Sequence, residues 1–352
     1  MREEFPSIEI ESISVRFSES TDETNASKKI SDYFNTNHHV LEIDNFLEEL
    51  PKAISIVKQP FWDLHWYYLV KKMKNFSNVF LSGDGGDELF CGYNRYKLTE
   101  NRSKKFNMIP SILRKILAKG IKSIPQNDWY SLFNVLPGLD KNNNFGYKMH
   151  KGANALEAKN LTDMYYTLFS HWQNPTEAVL NSNEPSTLLT TLMPKLKGLN
   201  SQQKMMALDL LTYLPDDILV KVDRAAMASS LETRVPLLDH KLIEYVWKIP
   251  HSLKLRNGDG KWILKQVLNK YVPKYLTDRP KMGFAIPLHS WLRGPLRDWA
   301  ENLLNEKRLM QEGYFNPELI REKWDQHICN KKNWQHDLWN VLMFQAWIDV
   351  NN

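Results

Sequence analysis

Residues 82–88 read SGDGGDE and directly follow the apolar run NVFL (78–81). Three glycines and three acids thus stand at the end of a run that reads as a buried β-strand. Glycines at a strand end let backbone N–H groups approach phosphate oxygens closely, and a helix starting there adds its positive dipole end. Asp84, Asp87 and Glu88 would repel one another unless a cation sits among them. Mg2+ carried on nucleotide phosphates meets that need, because it takes one or two carboxylates and fills its shell from phosphate and water. A solvated Asp/Gly turn has the same spacing and stays open as the alternative.

Two further stretches carry charge in suggestive settings. LPDDILVKVDRAAMASSLETRVPLLDH (214–240) starts like a helix, with Pro215, two acids and an Asp217/Lys221 pair at i,i+4. Its small residues Ala225, Ala226, Ala228, Ser229 and Ser230 permit close backbone approach. Glu232, Arg234 and Asp239 then gather around Val235-Pro236, where the chain is extended or turning. These charges fit an ion-pair scaffold as well as they fit catalysis. In GKWILKQVLNKYVPKYLTDRPKMGFAIP (260–287), Arg279-Pro280-Lys281 leads into Gly283-Phe284. A lysine on such a rigid turn can clamp phosphate or steady a developing negative charge, although surface lysines are common.

The elements that must position these groups alternate. SISVRF (12–17), HHVLEI (38–43) and NVFLS (78–82) read as strands. SESTDETNASKKISDYF (18–34) reads as a helix, with Ser20 and Glu23 spaced as a capping box and Ile30, Tyr33 and Phe34 on one face. Segments 45–57 and 66–73 are helical by pattern. Such alternation predicts an α/β fold with a parallel sheet, whose ligands bind beyond the carboxyl ends of the strands. From Ile109 onward the pattern is mostly helical, so the expected division is an α/β portion over 1–100 and a helical remainder over 101–352. SILRKILAKGIKSIP (111–125) is a basic amphipathic helix, expected to pack on the body and keep a basic face in solvent.

Composition narrows the function class. The chain has 352 residues, 42% hydrophobic and 12% aromatic, enough for a large core. Its net charge of +5, from 46 basic and 41 acidic side chains, says little about partners, although a nucleic-acid binder usually clusters such charge more strongly. Cys91 and Cys329 are too few for a disulfide framework and lack metal-ligand spacing, which points to a reducing, cytoplasmic setting. No run approaches the roughly 20 apolar residues of a membrane span, and MREEFPSIEI lacks a signal-peptide core.

In this order, LSGDGGDELFCGYNRY (81–96), LPDDILVKVDRAAMASSLETRVPLLDH and RPKMGFAIP (279–287) resemble the C-terminal synthetase domain of glutamine-dependent asparagine synthetases. SVRF and LWNVLMFQAW add weaker support, and the resemblance covers nearly the whole chain. It implies an adenine nucleotide α-hydrolase-like fold, the PP-loop ATP pyrophosphatase type. The implied reaction adenylates the side-chain carboxylate of aspartate with ATP and Mg2+, releases pyrophosphate, and uses glutamine-derived ammonia to form asparagine and AMP. By matched position it implies Ser82 and Gly83 as ATP contacts and Val15 as an adenine contact. It further implies Asp84 at the acyl-adenylate, Asp87 as a Mg2+ ligand, Glu232 as the acid that helps activate the amine, and Lys281 as the lysine that steadies the adenylation transition state. Glu88 is read as structural. The implied partners are small molecules, with no nucleic acid and no membrane, and the full-length form is expected to be a homodimer.

Departures from the family pattern set further expectations. The chain starts MREEFPS, with no catalytic cysteine or glutaminase domain, and contains no S-G-G-x-D-S pyrophosphate loop. It is therefore expected to be a fragment lacking the first strand of the sheet, inactive alone, with apolar surface exposed where a neighbour belongs. Arg16 and Cys91 stand where the family usually has glycine. QPFWDLHWYY (59–68) places bulky aromatics where small polar residues would shape the amino-acid pocket. That motivates two alternatives, a related amidotransferase or cyclase acting on another carboxylate and a non-catalytic remnant.

Overall fold

A computed structural model describes residues 4, 6–16, 24–42, 46–61, 65–96, 109–126, 128–129, 145–192, 195–277 and 286–351. Packing divides the chain into two compact units. Unit 1 comprises Met1–Gly92, Tyr213–Pro287 and Ala346–Asn352, and unit 2 comprises Tyr93–Thr212 and Leu288–Gln345.

In unit 1, β1 (Glu11–Arg16) and β2 (Asn37–Glu42) pair in parallel, from Glu11 opposite Asn37 to Arg16 opposite Glu42. Parallel neighbours need a crossover, and α1 (Thr24–Phe34) is that crossover. A polar cluster fastens the three elements. The Ser12 hydroxyl lies 2.9 Å from Thr36 Oγ1, 3.1 Å from His38 Nδ1 and 3.2 Å from Ser31 Oγ. Helices α2 (Phe46–Val57) and α3 (His65–Met73) follow and pack against the helix Val220–Ala228. Of its small residues Ala225 and Ala226 are buried, as are Leu50 and Ile54 of α2 and Leu69 and Val70 of α3, whereas Ala228 and, just beyond the helix, Ser230 are exposed. Each large apolar side chain buried there contributes about 1.5–3 kcal/mol.

β3 (Val79–Leu81) pairs in parallel with β4 (Glu232–Arg234), and the ladder runs on at both ends. The Glu232 N–H donates to Asn78 O and the Ser82 N–H donates to Arg234 O, both at 2.9 Å. Among the described residues, β1–β2 and β3–β4 are separate parallel pairs. The reading of NVFL as a buried strand needs correction, because Val79 is 38% and Leu81 55% exposed. Alternate residues face opposite sides of a strand, and the side carrying these two is uncovered, whereas a parallel sheet usually buries both. The sequence reading did not anticipate a short antiparallel hairpin, β5 (Leu255–Arg256) and β6 (Asp259–Gly260). It turns through Asn257 and Gly258, both at positive φ, as a primed hairpin turn requires.

Unit 2 is helical. The helix Ser111–Ser123 seats Ala118 against the helix Phe145–Glu157, where Ala153 and Ala155 are also buried. Its basic side chains do the anchoring: Lys122 pairs with Glu157 at 2.7 Å, and Arg114 Nη1 donates to Ala158 O at 3.0 Å. Ile112, Leu113, Ile116 and Leu117 are 52–71% exposed. This reverses the expected arrangement of faces. Packing against small residues brings the backbones close along the Ala118 side and leaves the branched side chains outside.

The helix Pro317–Ile328 buries His327 completely. His327 Nδ1 accepts from the Trp334 N–H at 3.1 Å, and burial, reinforced by Arg293 and His289, pushes the imidazole down from 6.5 to about 3. Between these values the unfolded chain binds a proton that the folded chain refuses. The stability is therefore whole above about pH 6.5 and is lost as pH falls toward 3. At pH 5 the loss amounts to about 2 kcal/mol at 1.36 kcal/mol per unit. His327→Gln keeps an acceptor for Trp334 but does not titrate. Its melting temperature should therefore drop less between pH 7 and pH 5 than the parent's, and equal drops would refute the assignment.

Candidate active site

The turn after β3 is built by its glycines. Gly85 sits at φ +81, and a Cβ there would lie 2.2 Å from Leu238 Cδ2. Gly92 permits a second close approach, since its Cβ would lie 2.0 Å from Asp87 Oδ1 and 2.3 Å from Lys261 Cε. The helix after the turn, α4 (Gly86–Leu89), is a single turn, so the dipole expected from the sequence is only that of one turn. Glu88 and Leu89 on this turn are buried. Cys91 takes φ +57 with its side chain fully buried, a backbone region that glycine enters without strain.

The carboxylates on this turn are held individually. The Ser82 hydroxyl donates to Asp84 Oδ2 at 2.5 Å, while the Asp84 N–H donates back to Ser82 Oγ at 3.3 Å. Asp87 Oδ1 lies 3.2 Å from Lys261 Nζ. Lys261 is fixed in turn by its own N–H, which donates to Phe90 O at 2.8 Å, and by a left-handed φ of 56. Lys261 thus supplies a protein cation to one acid of the cluster, Asp87. Lys261 was missed from the sequence, because a lysine following the glycine of Gly260-Lys261 is an ordinary surface pattern. Gly83 is exposed, and among the described residues nothing lies within 4 Å of an added Cβ.

The other candidate residues lie at varied distances from this turn. Arg234 reaches it through its backbone bond to Ser82. Glu232 sits opposite Val79 at the start of the paired strands, about 10 Å from Ser82 at 3.3 Å per residue. Its carboxylate pairs with Arg234 Nε at 2.6 Å, and both side chains are more than half exposed. Asp239 caps the helix His240–Lys248, accepting from the N–H groups of Lys241 and Leu242. Lys221 lies 3.9 Å from Asp217, the pair expected from their spacing, on a π-helical turn (Leu214–Leu219) that runs into the next helix. Val15 is half-buried in β1 and belongs to the other strand pair. Lys281 lies outside the described residues.

Mg2+ can be tested against this chemistry. Among the described residues no three His, Cys, Asp or Glu side chains gather as a metal cluster. Asp87 is partly exposed, so it suits an ion that takes one protein carboxylate and completes its shell from phosphate and water. Gly92→Ala is a direct test of the turn. The added methyl must push Asp87 and Lys261 apart, at a cost of about 1–3 kcal/mol for overpacking. Urea unfolding should show that loss, and an unchanged midpoint would mean the two side chains relax freely.

Comparison with known proteins adds independent findings. The asparagine synthase family profile matches residues 1–349. The chain is similar to the glutamine-hydrolysing asparagine synthetase 1 of Bacillus subtilis strain 168, 28% identical over 319 residues, covering 89% of this chain and 47% of that protein. A putative glutamine-hydrolysing asparagine synthetase of Mycobacterium bovis is 28% identical over 317 residues, covering 88% of this chain and 45% of its own length. The amidase chry2 of Gibberella zeae is 31% identical over 121 residues, which is 32% of this chain and 18% of that protein. The chain therefore spans about half the length of the two asparagine synthetases. Among the described residues no helix is long and apolar enough to cross a membrane.

Proposed function

The chain belongs to the asparagine synthase family, and from that membership we propose that it carries the ATP-dependent, amide-forming half of asparagine synthesis. The side-chain carboxylate of aspartate attacks the α-phosphorus of ATP. The bond to the β-phosphate oxygen breaks, pyrophosphate leaves, and a mixed acyl-adenylate anhydride remains. Ammonia, derived from glutamine in the longer protein, then attacks the acyl carbon, gives up a proton, and expels AMP.

The observation supporting this reading is the bond from the Ser82 N–H to Arg234 O. It sets the SGDGGDE turn at the carboxyl end of a parallel strand pair, where α/β proteins bind ligands. In this reading Ser82 and Gly83 contact the nucleotide, Val15 contacts adenine, and Asp84 faces the acyl-adenylate. Glu232 helps take the proton from the amine. Lys281 offsets the charge that builds on the α-phosphate. Mg2+ held through Asp87 and the phosphates would supply further positive charge at the leaving group.

A second reading, amide formation on a different carboxylate, arose from the aromatics of 59–68. Phe61, Tyr67 and Tyr68 are buried in the core of unit 1, so these three are accounted for by packing. The amidase-named relative keeps the second reading in play. Pyrophosphate release decides between them, measured with ATP, Mg2+ and ammonium, with and without aspartate. The assay should use the chain and any longer polypeptide that its reading frame encodes. Aspartate-dependent release supports asparagine formation, whereas release that ignores aspartate and responds to another carboxylate supports the second reading. A cytoplasmic location and a full-length homodimer belong to the same proposal, and size-exclusion chromatography tests the dimer.

A further inference from the structure

Unit 2 contains a partly open cleft of about 350 Å3, lined by residues that the proposed chemistry does not use. Its charge is lopsided, since Lys122, Lys151, Lys323 and Lys332 line it against Glu177 and Asp337. Lys122 is committed to Glu157 at 2.7 Å and Lys323 to Asp337 at 3.1 Å. Among the described residues, neither Lys151 nor Lys332 has a carboxylate within ion-pair distance.

Trp334 holds two of these ammonium groups in place. Lys323 Nζ lies 3.2 Å and Lys332 Nζ 3.7 Å from its ring centroid, and the indole is itself fixed by donating to Gln326 Oε1 at 2.8 Å. Trp172 adds a second ring 4.6 Å from Lys323 Nζ, and its indole N–H donates to Asp337 O at 3.1 Å. Cation–π contact of this kind localises a lysine without neutralising it. The cleft therefore presents two ammonium groups without a directly paired carboxylate, Lys332 held on the Trp334 ring and Lys151 on the lining. Asp337 and Glu322 offset part of the charge around Lys332, but burial, with Lys323 next, still pushes it down to about 8, and burial, with Arg95 next, pushes Lys151 below the usual lysine range.

The geometry points to a binding site in unit 2 for a small organic dianion, a phosphate monoester or a dicarboxylate, held between Lys151 and Lys332. A cavity of this volume lies at the lower end of those that bind small ligands, and two compact ammonium groups suit two separate oxyanion charges.

Isothermal titration of the full chain at physiological ionic strength, with inorganic phosphate and with succinate as probes, tests the proposal. One-to-one binding of at least one probe is expected. Lys151→Gln and Lys332→Gln should each weaken it by about tenfold or more, the loss of one charge-assisted hydrogen bond. Lys151→Met, which keeps the aliphatic stem, should do the same if the Gln variant folds poorly. In the unmodified chain, the bound probe should also protect both lysines from acetylation, read by mass spectrometry. Binding of phosphate alone identifies the phosphate class, and binding of succinate alone identifies the dicarboxylate class. The proposal is overturned if neither probe binds, if binding and acetylation ignore both lysines, or if binding is lost in Asp84→Ala while surviving in the lysine variants.

Discussion

Asp209→Ala is expected to cost unit 2 about 3–5 kcal/mol, the penalty for removing one member of a buried ion pair. Asp209 is fully buried on the helix Ser201–Leu211 and accepts from four donors. Arg95 donates through Nη2 at 2.6 Å and Nε at 3.1 Å, and the hydroxyls of Tyr96 and Tyr165 donate as well. Burial pushes the carboxyl above the ordinary aspartate value, against the pull of Arg95 and the two hydroxyls. The guanidinium is further boxed in by Tyr93 at 3.6 Å and Phe169 at 4.3 Å from their ring centroids. Alanine would take a charged acceptor from a largely enclosed cation and an acceptor from two buried hydroxyls. Tyr165→Phe should cost only about 1 kcal/mol, because it removes one donor and leaves the ion pair whole. The double variant Arg95→Leu/Asp209→Leu should lose less than the sum of the two single changes, since both charges leave together. Urea unfolding followed by circular dichroism measures all of these. A shift below 1 kcal/mol for Asp209→Ala would show that the network contributes little.

Local signals in the sequence carried far; long-range ones did not. β1, β2 and β3 are visible as short β-branched or apolar runs, and the three helices among the first eighty residues come from periodicity. β4 is only three residues, two of them charged, so nothing in Glu232-Thr233-Arg234 advertises a strand. It becomes one because β3 supplies a partner some 150 residues earlier in the chain. The Asn257-Gly258 hairpin did carry its signal, in a pair of residues suited to positive φ. At the site, the need for a cation beside Asp84, Asp87 and Glu88 could be argued from charge density, but its identity as Lys261 could not. Asp209 left no trace either, because one acid inside the apolar run MMALDLL reads as a helix position facing water. The helix Ser111–Ser123 misled for a related reason. Amphipathicity says which face is apolar, while burial is decided by which neighbour arrives, and here the neighbour meets Ala118.

Asp84→Ala is expected to lower aspartate-dependent pyrophosphate release by about 10²–10³-fold, the cost of losing one preorganised electrostatic group. The fold around it should be indifferent. The turn is pinned by the Ser82 N–H to Arg234 O bond and by the close approach at Gly92, neither of which uses the Asp84 side chain. Removing that side chain leaves Ser82 Oγ partly exposed and able to bond water, so stability should move by no more than about 0.5 kcal/mol. Asp84→Asn separates charge from shape, because the amide oxygen can still accept from Ser82 Oγ but carries no charge. If the negative charge acts on the reacting centre, Asn should be as slow as Ala, with kcat lowered and KM for ATP little changed. If Asp84 merely shapes the turn, Asn should restore most of the rate. Lys281→Ala belongs in the same series, since the proposed role places it on the phosphate whose charge grows during adenylation, and its loss should again fall on kcat. Normal turnover in either alanine variant would remove that residue from the site. Normal turnover in both would shift attention to the other charged groups of this turn, Glu88 and Asp87 with its partner Lys261.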